Sequence, residues 1–257
     1  MQTAERTSSS DASENVIFQR HLVAYQEASR LISGKVLEVG SGMGYGIQIL
    51  APKSAQYVAI DKYKTDISEQ AKLNNNIEFF QLEIPPLTGF QDNSFDYVVT
   101  FQVIEHIQND DFFVQEIHRV LKPHGKLILT TPNIKMSLTR NPWHVREYTI
   151  GELKTLQEKY FSQVSIKGIF GNQKVMDYYN KNKKAVNRIT RFDIFNLQYR
   201  LPRQLLQIPY DILNRLNRKR LLNKSTQLVN DISVNDYSID EATDNCFDLF
   251  SIAVKKT

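Results

Sequence analysis

The sequence has 257 residues, of which 41% are hydrophobic and 23% charged, an ordinary composition for a globular protein with one sizeable core. No apolar run is long enough to span a membrane. Residues 1–15 are polar and Ser-rich, which excludes a signal peptide there and predicts a disordered tail. The single cysteine, Cys246, excludes an internal disulfide and a cysteine-rich metal cluster. These observations predict a cytoplasmic protein.

Positive charge is concentrated in one segment of the chain. The formal net charge is +4, but residues 181–224 contain twelve Lys or Arg and two Asp, a net +10, which leaves −6 for the rest. Such a local excess needs a local explanation, for example a surface that meets an anionic partner.

Short apolar runs rich in β-branched residues alternate with helical patterns up to about residue 170. Strands are predicted at 35–40, 57–61, 77–83, 95–101, 126–131 and 164–170, and helices at about 16–31, before 50, at 65–72, from 110 and from 149 to 160. This alternation predicts an α/β fold, namely a doubly wound, mostly parallel Rossmann-like sheet with helices on both faces.

The alternation stops after residue 170. Residues 171–245 have the pattern of helices and loops, whereas 246–254 has the pattern of one more strand. We therefore predict an α/β domain over 16–170, a basic helical insertion or lid over 171–245, and the last strand of the α/β domain within 246–257.

A glycine-rich loop, Glu38-Val-Gly-Ser-Gly-Met-Gly-Tyr-Gly46, follows the first predicted strand. A doubly wound sheet binds its ligand at the carboxyl ends of its strands, and glycine lets the backbone approach that ligand closely. A nicotinamide dinucleotide requires G-x-G-x-x-G, but the third glycine would fall on Tyr45. The spacing is instead acidic-x-G-x-G-x-G. Asp61, at the end of the second strand, could accept both ribose hydroxyls of either a dinucleotide or S-adenosylmethionine (SAM).

These features together carry a family resemblance. The chain resembles the class I SAM-dependent methyltransferases, especially the methyltransferase type 11 and ubiquinone-type O-methyltransferase branch. The matching segments are Val36-Leu-Glu-Val-Gly-Ser-Gly-Met-Gly44, Val58-Ala-Ile-Asp61, Asn93-Ser-Phe-Asp96, Val103-Ile-Glu-His-Ile107 and Arg119-Val-Leu-Lys-Pro-His-Gly125. The resemblance implies SAM as cofactor and methyl transfer to an O or N atom of an unidentified acceptor, a small molecule or one linked to a lipid or saccharide.

The resemblance also implies a set of cofactor contacts along the carboxyl edge of the sheet. They are Glu38, Gly40, Ser41, Gly42 and Gly44 at the methionine half, Asp61 and Lys62 at the ribose, Glu83 and Ile84 at the adenine, and Phe101 and Gln102 near the sulfonium. For Glu83 an equal alternative to the adenine contact is a solvent-exposed position in a loop, because Pro85-Pro86 interrupts the alignment with the family at this point.

Methyl transfer is a direct displacement, so the protein mainly aligns the reactants and excludes water. A hydroxyl acceptor additionally needs a base, for which His106 and His144 are the candidates. His106 could instead only hydrogen-bond the adjoining loop. Ubiquinone-type relatives can bind a divalent metal through Glu-x-x-Glu-His, but Gln102 occupies the first position here and is a weaker ligand for a hard cation. We therefore predict no metal.

Two further segments suggest partner contacts. Trp143, Arg146 and Tyr148 are predicted to contact the acceptor; alternatively, Trp143 pins the loop and Arg146 forms a salt bridge. Residues 200–224 predict a basic amphipathic helix, either a lid over the active site or a surface for the anionic inner face of the membrane. Nucleic acid is not favoured as a partner of this segment, because aromatic and basic residues do not alternate there.

The sequence leaves two further questions open: the oligomeric state, and whether the protein binds SAM without transferring its methyl group.

Overall fold

The computed structural model describes residues 11–67, 75–193 and 196–256. Eight strands form one sheet: β1 (Lys35–Val39), β2 (Gln56–Asp61), β3 (Ile77–Gln81), β4 (Phe95–Phe101), β5 (Leu121–Pro132), β6 (Gln163–Gly171), β7 (Tyr237–Glu241) and β8 (Asp248–Val254). The described helices are α1 (Asn15–Leu31), α2 (Ile47–Leu50), α3 (Asp110–Val120), α4 (Ile150–Glu158), α5 (Gln173–Thr190), α6 (Leu197–Arg200), α7 (Arg203–Lys224) and α8 (Thr226–Asp231).

The strands are ordered β3-β2-β1-β4-β5-β8-β6-β7 across the sheet. Strands β1 to β5 pair in parallel, whereas β8 is antiparallel to both β5 and β6. The strand order reverses between β1 and β4, and that reversal is where such sheets bind ligands. The predicted doubly wound, mostly parallel fold is therefore confirmed.

Strand β1 shows why the strands are continuously apolar. Val36 packs into the core on one face of the sheet, and Leu37 and Val39 pack into the core on the other. Because helices cover both faces, neighbouring residues of one strand are both buried.

The sequence analysis predicts a disordered tail over residues 1–15, and for residues 11–15 this is wrong. Residues 11–14 form a capped turn that leads into α1, and the Asn15 side chain donates hydrogen bonds to the carbonyls of Val229 and Ile232, at 2.7 and 2.8 Å. The polar composition that suggested disorder thus supplies a cap and a tertiary anchor. Residues 1–10 lie outside the described ranges.

Two other boundaries differ from the sequence analysis. The helix predicted at 65–72 falls mostly on residues 68–74, outside the described residues, and 65–67 has no regular structure. The segment 171–245 is not wholly helical, because β7 pairs with β6 at the edge of the sheet. Strand β7 was not predicted, since its sequence, Tyr-Ser-Ile-Asp-Glu, is short and mostly polar.

Among the described helices, none is both long and apolar enough to cross a bilayer.

Candidate functional site

The glycine-rich loop turns sharply at the carboxyl end of β1. Gly40, Gly42 and Gly44 all have positive φ, at +81°, +57° and +78°, which side chains other than glycine rarely adopt. The amides of Gly40 and Ser41 both donate to the carbonyl of Ile60, at 2.8 and 3.0 Å. These two hydrogen bonds hold the loop against the end of β2. On its other side the loop is open, because a Cβ placed on Gly42 would meet nothing within 4 Å. This open face leaves room for a ligand.

Replacing Gly40 with alanine should destabilise the fold more than the same change at Gly89. Both positions have positive φ, at +81° and +88°, but the new Cβ would lie 2.4 Å from a Val103 methyl in the first case and in open space in the second. We expect a loss of about 1–2 kcal/mol for Gly89→Ala from the backbone alone, and about 2–5 kcal/mol for Gly40→Ala. Denaturant unfolding checks this, and equal losses would contradict the tight contact.

The Glu38 side chain lies in the core. It was predicted to line the methionine half of the cofactor, but its carboxylate is buried and accepts hydrogen bonds from the hydroxyls of Tyr25 and Tyr57, at 2.7 and 2.6 Å. Burial raises the pKa of Glu38 above its ordinary value, and the two tyrosines counteract part of that rise. Glu38 therefore supports the loop from within the core, and its contact with the cofactor stays a prediction.

Ser41 provides a test of whether the loop fits SAM. Its hydroxyl is buried, and within the described part of the chain it has no hydrogen-bond partner. A buried hydroxyl normally has a partner, so this one indicates that a ligand's polar group completes the site. The amino acid end of SAM offers such groups, and the open face at Gly42 gives it space.

Asp61 closes the loop on the β2 side. Its two carboxylate oxygens accept hydrogen bonds from the amides of Gly42 and Tyr63, at 2.9 and 2.8 Å. Each oxygen has a second lone pair, so the carboxylate can still accept a ribose hydroxyl. The Lys62 side chain is exposed, and its ammonium lies 5.0 Å from the centre of the Tyr63 ring.

The remaining predicted cofactor residues differ in how exposed their side chains are. Glu83 is exposed and lies beyond β3, while Ile84 is partly buried against the core. The Phe101 ring is buried and packs edge-on against Tyr25, with 4.7 Å between ring centres, which stabilises the site from inside. Gln102 has a left-handed backbone with φ of +56°, a strained conformation for this residue that is typical of functional sites.

A cavity of about 610 Å³ lies beside Gln102 at the carboxyl ends of β4 and β5. Helix α1 forms one side of it, and α5 and α7 cover it, so the arrangement supports the lid hypothesis for the basic segment. Most of its lining is apolar, including Met136, Leu138, Val186, Ile189, Leu206 and Leu213. Its polar end carries Glu105, His106 and His144. Polar side chains of α5 and α7, among them Asn182, Asn217 and Arg218, line it elsewhere.

The two histidines lie edge to face at that polar end, with 5.0 Å between ring centres. His106 Nδ1 is 3.1 Å from the carbonyl oxygen of Trp143, so Nδ1 carries the proton and donates it. His144 Nδ1 lies 2.7 Å from the Glu147 carboxylate, and its Nε2 lies 2.9 Å from the Asn141 amide nitrogen. The side-chain oxygen of Asn141 accepts a hydrogen bond from the backbone N–H of Trp143, so the side-chain nitrogen of Asn141 faces His144. His144 therefore carries its proton on Nδ1 and accepts at Nε2.

Glu105 lies beneath the histidines in a buried position. The Thr131 hydroxyl donates to its carboxylate at 3.0 Å, and burial raises the pKa of Glu105 to about 7. Ligand atoms of Glu105, His106 and His144 all lie within 4.8 Å of one another. The fold thus brings His144 to the Glu-His pair, which the sequence could not anticipate, and the absence of a metal stays a prediction.

The predicted acceptor contacts at Trp143, Arg146 and Tyr148 need revision, because none of the three lines the cavity. The Trp143 indole donates to Asp211 of α7 at 2.9 Å, and the buried Tyr148 donates to Asp110 at 2.8 Å. Arg146 pairs with Asp110 at 3.2 Å and stacks on the Tyr148 ring. These residues hold the loop in place, which agrees with the alternative stated for them.

Sequence reasoning missed several residues of the site. Glu147 and Asn141 bind the two nitrogens of His144, and Arg20 and His21 of α1 line the cavity. The polar segment 141–148 was recognised as chemically rich, but which residue faces the cavity depends on the loop conformation. The contribution of α1 had no local signal, since it depends on packing between distant segments.

Comparison with known proteins shows which proteins the chain resembles. A family model described as a methyltransferase domain matches residues 37–129. The chain is 37% identical over 182 residues to a probable S-adenosylmethionine-dependent methyltransferase of Mycobacterium tuberculosis, over 68% of this chain and 66% of that protein. It thus spans just under two thirds of that relative. It is 32% identical over 121 residues to the ubiquinone biosynthesis O-methyltransferase of Rickettsia akari, over 46% of this chain and 47% of that protein.

The fold is also similar to that of solved structures. The [4+2]-cyclase SpnF superposes with a TM-score of 0.53 and 18% identity, over 93% of this chain and 80% of that one. At this identity the likeness concerns the fold alone.

Proposed function

We propose that the chain is a class I SAM-dependent methyltransferase and that it transfers the methyl group of SAM to a hydroxyl oxygen of an amphiphilic acceptor. The observation that carries this proposal is the position of the cavity. Its histidine-bearing end lies beside Gln102, where the resemblance places the sulfonium, and apolar side chains of α7 such as Leu206 and Leu213 line another part of it. The acceptor's reacting group and its apolar part would thus each have a matching environment.

SAM, when bound, supplies a methyl group on a positively charged sulfur. We propose that the open face at Gly42 admits it, that Ser41 and Asp61 bind its polar groups, and that Glu38 supports the loop beneath it. Lys62, Glu83 and Ile84 remain proposed contacts for its nucleoside half.

The cavity's chemistry limits the acceptor class. Its volume of about 610 Å³ is in the usual range for a small-molecule site, and apolar side chains line most of it. A sugar alone would leave its hydroxyls facing apolar side chains, which costs free energy. We therefore propose an acceptor with an apolar chain and a hydroxyl-bearing head, which includes lipid-linked molecules.

We propose that His144 is the general base. Its Nε2 accepts from Asn141, and an acceptor hydroxyl that displaced this contact would donate to the same nitrogen. Glu147 holds the opposite nitrogen and stabilises the positive charge that forms on the ring when Nε2 takes the proton. His106 lies beside it and would orient the hydroxyl. Helices α5 and α7 cover the cavity and would exclude water.

Calorimetric titration tests the cofactor part of the proposal. We expect micromolar binding of SAM and of its demethylated product, and no measurable binding of NADH, because Tyr45 replaces the third glycine of the dinucleotide motif. Preferential NADH binding would refute the assignment. A panel of hydroxylated amphiphiles with labelled SAM then tests transfer. Tight SAM binding without product on any of them would favour the alternative, a SAM-binding protein that transfers no methyl group.

A further inference from the structure

Helix α7 has two apolar faces. Its inner face lines the cavity through residues such as Leu206 and Tyr210. Its outer face exposes four large apolar side chains, spaced three or four residues apart, so that they form one stripe. They are Leu205, Ile208, Ile212 and Leu216, and each is between 54% and 72% exposed.

Cationic side chains continue this stripe. Arg215, Lys219 and Arg220 are exposed, and Lys219 follows Leu216 at the helical spacing of three. They belong to the segment 181–224, which carries a net +10. Exposed apolar residues flanked by cations are typical of helices that lie in the plane of a membrane interface.

The apolar surface extends from α7 to the mouth of the cavity. Ile189, Phe192 and Leu197 line the cavity and are also exposed, with Phe192 at 80%. The Arg191 guanidinium lies 5.8 Å from the centre of the Phe192 ring. An aromatic ring beside a cation suits the boundary between lipid headgroups and acyl chains.

We propose that the outer face of α7, together with the segment around Phe192, docks on a bilayer that contains anionic lipids. Anionic headgroups complement the exposed Arg215, Lys219 and Arg220, and the acyl region accepts the apolar stripe. A second copy of the chain would bring the same positive charge against this face and be repelled. Docking does not require methyl transfer, so it can fail or succeed independently of the proposed function.

Sedimentation with lipid vesicles tests the docking surface. The full chain should bind vesicles of equal parts phosphatidylglycerol and phosphatidylcholine at low salt, and should bind pure phosphatidylcholine vesicles at least about tenfold more weakly. Replacing Ile208 and Ile212 together with serine should weaken binding roughly tenfold or more, since both lose their contact with the acyl region. Arg215→Gln with Lys219→Gln should do the same, by about tenfold.

The matched control replaces two exposed lysines outside this surface, Lys53→Gln with Lys167→Gln, which should leave vesicle binding unchanged within about twofold, although it removes the same charge. SAM titration and thermal melting would show that every variant is folded. The proposal is overturned if the anionic vesicles are not bound at low salt, or if both pairs of charge variants weaken binding equally. It is also overturned if the serine variant abolishes self-association of the chain while vesicle binding persists.

Discussion

Replacing Asp61 with alanine is expected to weaken SAM binding by about two orders of magnitude. The carboxylate is proposed to accept the ribose hydroxyls, and hydrogen bonds to a charged group each contribute about 1.5–3 kcal/mol, so that losing even one or two costs roughly 100-fold in affinity. The variant also frees the Gly42 amide, which Asp61 now holds at 2.9 Å. Calorimetric titration with SAM and with its demethylated product measures the effect.

Asp61→Asn separates the two contributions. An asparagine keeps an oxygen that can accept from Gly42 and loses the charge, so its affinity should lie between that of the wild type and that of the alanine variant. Melting temperatures of both variants would show that the fold is intact. Unchanged SAM affinity in Asp61→Ala would remove Asp61 from the site and, with it, the proposed orientation of the cofactor.

Replacing His144 with alanine is expected to reduce turnover on a hydroxyl acceptor by about 10²–10⁴-fold, the usual contribution of a general base. SAM binding should change little, because His144 lies at the acceptor end of the site. Single-turnover rates with labelled SAM measure the loss. His106→Ala is the comparison variant: if it abolishes turnover while His144→Ala retains full activity, the base has been assigned to the wrong histidine.

Glu147→Gln tests the positioning of that base. The Glu147 carboxylate lies 2.7 Å from His144 Nδ1 and favours the protonated ring, so its removal makes Nε2 a weaker base. Turnover should fall, and its rise with pH should move to lower pH, because the ring then loses its proton more readily. A purely structural role would lower the rate without moving the pH profile. The Ser137 hydroxyl, which also donates to Glu147, would remain as an anchor for the glutamine.

Local patterns in the sequence predicted the parts of the molecule that local physics determines. The apolar runs at β1, β2, β4 and β5 and the spacing of the glycines gave the sheet and its ligand-binding edge, because burial on both faces and close backbone approach each leave a pattern within a few residues. The capping box at Thr149 likewise placed the start of α4.

The sequence could not predict features that depend on contacts between distant segments. The hydroxyl of Tyr25 on α1 meets that of Tyr57 on β2 at the Glu38 carboxylate only because α1 packs against the sheet, so the Glu38 side chain lies in the core. The direction of Ile212 depends on how α7 is rotated against the cavity. An amphipathic pattern identifies a face, but it does not say which side of the protein that face meets.

In the proposed mechanism, the contacts of α7 with the histidine-bearing loop would couple acceptor entry to the chemistry. Arg203 donates to the carbonyl of His144 at 3.1 Å, and Asp211 accepts from the indole of Trp143, whose carbonyl holds His106. If α7 swings aside to let an acceptor in, these bonds break and both imidazoles lose an anchor. The catalytic arrangement would then re-form only when the helix returns, so that SAM meets a competent base solely in the closed state. Such an interlock would protect SAM from transfer to water in the intervals between acceptors.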